Sequence, residues 1–243
     1  LRGIDLPNAL QGRVVAAVEN QIGEDEIWYG SQNGLSLVRK TAGQVERFSQ
    51  LAGREVQAIS RAHDGSILVG TSRGLFSIRD GEFEPVPIPE LDFAVRHVRA
   101  LLPAASGNFT WVGTDCGLYR WDGSSVGLFK LPQEMDCRIC SLAEDSLGRL
   151  WVGTGSSLCV MTNEGFQPIR KQRLERYRYV RSIHEVDGQI IATLIDGILK
   201  IARDDLSKRK FQPIDKSLSS FVDRDSNFWF ATENHAELYC DLA

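Results

Sequence analysis

The sequence predicts an all-β chain built from one small antiparallel sheet repeated six times, and three observations predict it. First, a core of Trp or an aliphatic residue followed by Gly-Thr, a turn and Gly-Leu recurs as IWYGSQNGLSLV from Ile27, ILVGTSRGLFSI from Ile67, TWVGTDCGLYRW from Thr110 and LWVGTGSSLCVM from Leu150. Weaker copies follow as IATLIDGILKI from Ile191 and FWFATENHAELY from Phe228. Second, the steps from Trp28 to Leu68, Trp111, Trp151, Ile191 and Trp229 are 40, 43, 40, 40 and 38 residues. Third, each step holds short β-rich runs separated by Gly, Asp and Asn, which is the pattern of an antiparallel meander. One such sheet cannot bury both faces alone, so repeats of this length stack. The expected architecture is a six-bladed β-propeller of four-stranded antiparallel blades.

The third repeat shows how a blade is composed. Val98–Leu102 is a first strand, residues 105–108 a turn, Phe109–Gly113 a second strand and residues 114–117 another turn. Leu118–Trp121 is the third strand, and Asp122-Gly123 leads into an outer strand over Val126–Leu131. The other first strands are Val15–Val18, Val56–Ile59, Ile139–Leu142, Val180–Ile183 and Leu218–Phe221. Each first strand carries a small residue before its last apolar one: Ala17, Ala58, Ala100, Ser141, Ser182 and Ser220. Crowding around a central axis asks for small side chains there. Gly30, Gly70, Gly113 and Gly153, at the centre of second strands, predict close approach of a neighbouring backbone or ring. The Trp or aliphatic residue ahead of each is expected to wedge between blades.

Outer strands share a phrase, Phe83-Glu84-Pro85-Val86, Phe166-Gln167-Pro168-Ile169 and Phe211-Gln212-Pro213-Ile214. Pro on a free edge removes a donor that another chain could pair with. The last repeat runs out after three strands, so residues 1–6 are expected to pair as the fourth strand of the last blade and close the ring. Blades then fall at about 14–50, 55–88, 97–132, 138–170, 179–215 and 217–243 plus 1–6, one domain over 1–243.

Composition narrows the function. A net charge of -4 argues against general nucleic-acid binding. The absence of an apolar run of 18 residues predicts no direct membrane insertion by this segment, and there is no charged-then-apolar leader. A start at Leu1 rather than Met is what a processed or excised segment would show. Cys116, Cys137, Cys140, Cys159 and Cys240 are odd in number and fit no disulfide scaffold, which favours a reducing, cytoplasmic setting. Cys137-Arg-Ile-Cys140 lies on a predicted strand, where positions i and i+3 face opposite ways, so no metal is expected there. No Ser-His-Asp arrangement, P-loop or zinc signature is present, and no cofactor is expected.

The phrase V-x-A-I, then D-x-x-G-x-L-W-V-G-T, then x-x-G-L runs through Val56-Gln57-Ala58-Ile59, His63-Asp64-Gly65 and Leu150-Trp151-Val152-Gly153-Thr154. This phrase resembles the two-component-regulator propeller repeat, strongly in the first four repeats. The resemblance implies a ligand-sensing, periplasmic or extracytoplasmic β-propeller of a bacterial signalling protein, with the output domain elsewhere. It also departs from the family in lacking a longer propeller array and in its cysteine content.

Candidate ligand residues come from the loops that lead into the first strands. Two residues before the first-strand Val stand Arg13, Arg54, Arg96, Cys137, Arg178 and Lys216, at steps of 41, 42, 41, 41 and 38, with Arg138 beside the exception. Pseudo-symmetry would make these a cationic ring at one channel mouth, suited to an anionic small molecule or sugar acid. The alternative is ion pairing with inter-blade carboxylates such as Glu55, Asp115 or Glu233. The loop Arg170–Tyr179 adds cations and tyrosines to that end, or is a solvated loop. A protein-interaction platform is the second functional reading. The third is a propeller lyase similar to streptogramin lyase, from the Trp229–Glu233 phrase, with Glu233 and His97 as a proton-transfer pair. An enzyme is the less expected outcome, and no catalytic residue is assigned.

Overall fold

Each repeat folds into one antiparallel meander whose strands pair in chain order. A computed structural model describes residues 14–19, 26–39, 44–88, 97–133, 135–169, 179–214, 217–223, 226–232 and 236–239. The first sheet is β1 (Val14–Glu19), β2 (Glu26–Ser31), β3 (Gly34–Arg39) and β4 (Gln44–Arg47). The second is β5 (Val56–Arg61), β6 (Ile67–Thr71), β7 (Gly74–Arg79) and β8 (Glu82–Val86). The third is β9 (Val98–Pro103), β10 (Thr110–Thr114), β11 (Gly117–Trp121) and β12 (Val126–Phe129). The fourth is β13 (Ile139–Glu144), β14 (Leu150–Thr154), β15 (Leu158–Thr162) and β16 (Gly165–Ile169), and the fifth is β17 (Val180–Val186), β18 (Gln189–Leu194), β19 (Gly197–Ala202) and β20 (Asp205–Pro213). Among the described residues the sixth has three strands, β21 (Ser217–Val222), β22 (Phe228–Thr232) and β23 (Ala236–Tyr239). Residues 1–6, expected to supply its fourth strand, lie outside the described residues. The chain divides into two compact units, Leu1–Phe129 with the first three sheets and Lys130–Ala243 with the other three.

Within each unit the repeat residues stack one sheet on the next. A Cβ at Gly70 would stand 2.6 Å from Val98 Cγ1, and one at Gly153 would stand 2.6 Å from Val180 Cγ1. Gly30 is bare against Val56 in the same way. At each of the three the first-strand Val of the following sheet is a close neighbour, joined at Gly153 by Ser141 Oγ of the same sheet, and only a hydrogen side chain leaves room. Trp28 packs with Val56, Ile59, Phe76 and Ile78, and Trp151 with Val180, Ile183 and Ile190. Both are wedges between sheets, and truncating such a buried aromatic to Ala costs about 3–5 kcal/mol. Pro85, Pro168 and Pro213 sit on fourth strands, on the edge foreseen for them.

All six first strands carry a register shift at one place. Val56 pairs Thr71 and Ala58 pairs Gly70, leaving Gln57 extra; the same two-against-one step leaves Arg99, Cys140 and Arg181 extra. In β1 and β21 the extra residues are Val15 and Leu218. These are β-bulges, each of which adds one residue to a strand and re-aims its neighbours. The register corrects the expected alignment of the first and last sheets. Ala16 and Ser219, not Ala17 and Ser220, pair with Gly30 and Ala231, the central residues of β2 and β22.

The Asp that opens D-x-x-G in the fourth sheet, and Asp223 in the matching place of the sixth, have a specific purpose. Asp145 accepts from Leu147 N at 3.1 Å, Arg149 N at 2.9 Å and Trp151 Nε1 at 2.8 Å, and Asp223 accepts from Trp229 Nε1 at 2.8 Å. The carboxylate closes the turn and supplies the buried indole with its acceptor. Turn hydrogen bonds put Ala62, not Asp64, in the Asp145 place, and this sheet has Leu68 where the indole would be. Asp64 is released for Ser66 and Arg79. Burial works against the Asp145 charge, yet the hydrogen bonds from Trp151 and Arg149 outweigh it and hold the carboxyl below its ordinary range.

Candidate functional site

Turns between second and third strands lie at the same end of a sheet as the start of its first strand, so bulge residues can meet them there. In the third sheet Arg99 pairs with Asp115, the first residue of that turn, through Nε and through Nη2 at 3.2 Å. His97 Nδ1 stands 3.6 Å from the same carboxylate. This cation is neutralised within its own sheet.

The fifth sheet repeats the geometry without the acid. Arg181 is its bulge residue, and Ile195 follows Leu194 where Asp115 follows Thr114. Its Nε is buried with no hydrogen-bond partner among the described residues, while its guanidinium carbon lies 5.6 Å from the centre of the Tyr179 ring. Leaving such a donor unmet costs about 1–3 kcal/mol. Tyr179 holds φ +47, a left-handed backbone uncommon for a bulky residue. Its N–H donates to Gly155 O at 3.0 Å, and Gly155 N–H donates to Arg138 O at 3.2 Å. A Cβ at Gly155 would lie 2.9 Å from Asp136 Oδ2 and 3.5 Å from Arg138 Cδ, and Asp136 Oδ1 accepts from Arg138 N, so Arg138, Tyr179 and Arg181 lie along one edge of the fourth and fifth sheets that also holds the Asp136 carboxylate.

Only Arg54 and Arg138 of the six expected ring residues are described; Arg13, Arg96, Arg178 and Lys216 lie outside the described residues, as do Arg170–Arg178 of the basic loop. Arg54 places its guanidinium 4.9 Å from the Phe76 ring centre, against the seam between first and second sheets. Arg138 is exposed beside Gly155. By sequence offset from the first paired residue, Arg54, Arg96 and Arg178 stand two places ahead, but Arg13, Arg138 and Lys216 stand one place ahead. Sequence reading passed over Arg181; comparing Asp115 with Ile195 across the turns would have found it.

Other expectations fall as follows. Cys137 precedes β13 instead of lying on it, and Cys140 is the bulge residue, so strand alternation does not govern the pair. Among the described residues no group of three His, Cys, Asp or Glu side chains converges as a metal site. Glu233 lies outside the described residues. Among the described residues no helix is long and apolar enough to cross a membrane.

The comparisons agree with this architecture. Residues 133–156 match the family described as Two component regulator propeller. The chain is similar to the extracellular domain of the proposed hybrid two component system BT3049 from B. thetaiotaomicron, with 19% identity and a TM-score of 0.78 over 95% of this chain and 33% of that one. A second such domain, from the proposed one component system BT4673 of B. thetaiotaomicron, gives 18% identity and a TM-score of 0.64 over 93% of this chain and 39% of that one. A catalytically inactive virginiamycin B lyase from Staphylococcus aureus, with quinupristin, gives 17% identity and 0.74 over 95% and 80%. No curated protein sequence matches the chain. This chain thus spans a third of the length of the BT3049 domain. The four-stranded meanders, their stacking and these neighbours give the chain the β-propeller fold, and its residues 133–156 are similar to the two component regulator propeller repeat.

Proposed function

We propose that the chain is a non-catalytic ligand-sensing propeller of a bacterial two component signalling protein, acting outside the cytoplasm, with its output domain elsewhere. In this reading the chain is one domain of six blades, and residues 1–6 complete the three-stranded sixth sheet. It binds a small anion, a carboxylate or sugar acid, at the edge formed by Arg138, Tyr179 and Arg181. One observation carries the proposal: the buried Arg181 Nε has no acceptor, while Arg99 in the matching place has Asp115. A carboxylate bridging Nε and a terminal nitrogen would supply what Asp115 supplies to Arg99. A protein-interaction platform is a second reading, favoured by Phe221, 56% exposed and stacked on Trp229.

The test is a thermal-shift series of the chain with glucuronate, citrate and inorganic phosphate. A binder at a hundredfold excess over Kd adds about 2.7 kcal/mol of stability. Arg181→Gln should remove the shift, and the unliganded variant should melt no lower than the parent. Equal shifts in parent and variant, or a variant that melts lower without ligand, would assign Arg181 to the fold and end the proposal.

A further inference from the structure

Thr110 occupies a slot that the other repeats fill with Ile27, Ile67, Leu150, Ile190 and Phe228. It is 0% exposed, and its Oγ1 makes no hydrogen bond among the described residues. A Val there would keep the shape and avoid the desolvation of an unmet hydroxyl, so packing does not account for the Thr. Thr110 pairs directly with Trp121 and therefore shares its face of the sheet. That face packs Val112, Tyr119 and Trp121 against Ala62, Leu68 and Leu75 of the second sheet.

On this side a cleft of about 270 Å³ opens between the second and third sheets, with Thr110 in its lining. Its polar rim accepts more than it donates. His63 Nε2 lies 2.9 Å from the Ala104 carbonyl, which can only accept, so in the neutral ring Nδ1 is the acceptor. Asp64, which also accepts from Ser66 and Arg79, and Asp122, which also accepts from Ser124 and Ser125, contribute two carboxylates; Asn108 adds an amide, and Trp121 and Phe109 contribute aromatic wall. Gly123, whose φ of +98 favours glycine, sits beside Asp64, since a Cβ there would lie 3.6 Å from Asp64 Oδ2. Arg79 reaches Asp64 but is not part of this lining. The cleft is smaller than the 300–1,000 Å³ or so typical of drug-sized ligands.

We propose that this cleft is a binding site for a small primary ammonium compound. Its NH3+ group donates to Asp64, Asp122 and the Thr110 hydroxyl, and its aliphatic body lies on Trp121 and Phe109, where a ring face also attracts the cation. The site belongs to the unit Leu1–Phe129 and is independent of Arg181.

Calorimetric titration with cadaverine and ethanolamine tests it, with tetramethylammonium as a cation that has no N–H to donate. Cadaverine or ethanolamine should bind, and tetramethylammonium should bind at least tenfold more weakly. Thr110→Val should weaken amine binding at least tenfold while the unliganded protein melts at the parent temperature or above, and Asp122→Asn should weaken binding similarly. Absence of amine binding at millimolar concentration, equal binding of tetramethylammonium, unchanged affinity in Thr110→Val, or a lower melting temperature for that unliganded variant would each overturn the assignment; the last would show that the hydroxyl serves the fold.

Discussion

Two neighbouring seams in the unit Lys130–Ala243 solve the same stacking problem with opposite chemistry. Between the fourth and fifth sheets, bare Gly153 receives Val180, and Ser141 Oγ donates to Val180 O at 2.9 Å. Between the fifth and sixth, Thr193 replaces the glycine, and its Oγ1 lies 2.7 Å from Ser220 Oγ, itself 2.6 Å from Ser182 Oγ. His184 Nε2 donates to Ser220 O at 3.1 Å, with its ring edge toward Phe228. The first seam is a steric fit with one hydrogen bond. The second is a directional hydroxyl cluster beside a titratable ring. A repeat can therefore keep its spacing while exchanging its means of adhesion, and the two means should fail under different insults.

The largest effect is expected from Gly153→Ala, which drives a methyl into Ser141 Oγ and Val180 and should cost about 3 kcal/mol, as overpacking of a tight contact does. Chemical denaturation checks this, and adding Val180→Ala should recover part of the loss; no recovery would mean that Val180 is not what the glycine accommodates. Ser220→Ala should cost less, about 1–2 kcal/mol, because it strands the Thr193 and Ser182 hydroxyls. Combining it with Thr193→Val should cost less than the sum of the two single changes, and strict additivity would dissolve the cluster as a unit.

The smallest effect is a pH dependence confined to the second seam. Burial pushes the His184 pKa down, with the Ser220 carbonyl partly opposing it, so the folded ring is neutral where an unfolded histidine near pH 6.5 begins to take a proton. Because the unfolded state binds more protons below that point, stability should fall as pH drops from about 6.5. Melting temperatures of the parent and of His184→Gln between pH 7.5 and 5 should converge at low pH. Parallel curves would show that His184 is not the group responsible.

The seams also show how far sequence alone reaches. Trp28, Trp151 and the glycine two places after each were legible because a 40-residue period repeats their chemistry, and stacking demands a wedge and a gap at each interval. The bulge was not legible, since one extra residue leaves no mark in a pattern of alternating apolar positions. In β1 and β21 the small residue opposite the centre of the second strand stands one place earlier than expected. Arg181 and Thr110 escaped notice for a different reason. Each is ordinary by residue type and unusual only by its missing partner, and a partner is a property of three-dimensional neighbours.

The recurring bulge has a consequence for how such a chain can diversify. Its extra residue stands outside the ladder that fixes its neighbours, so its identity can change with little disturbance of the frame. Valine, glutamine, arginine, cysteine, arginine and leucine occupy those six positions at Val15, Gln57, Arg99, Cys140, Arg181 and Leu218. They are natural grafting points: new side chains could be installed there blade by blade to write a chosen recognition surface onto an unchanged scaffold.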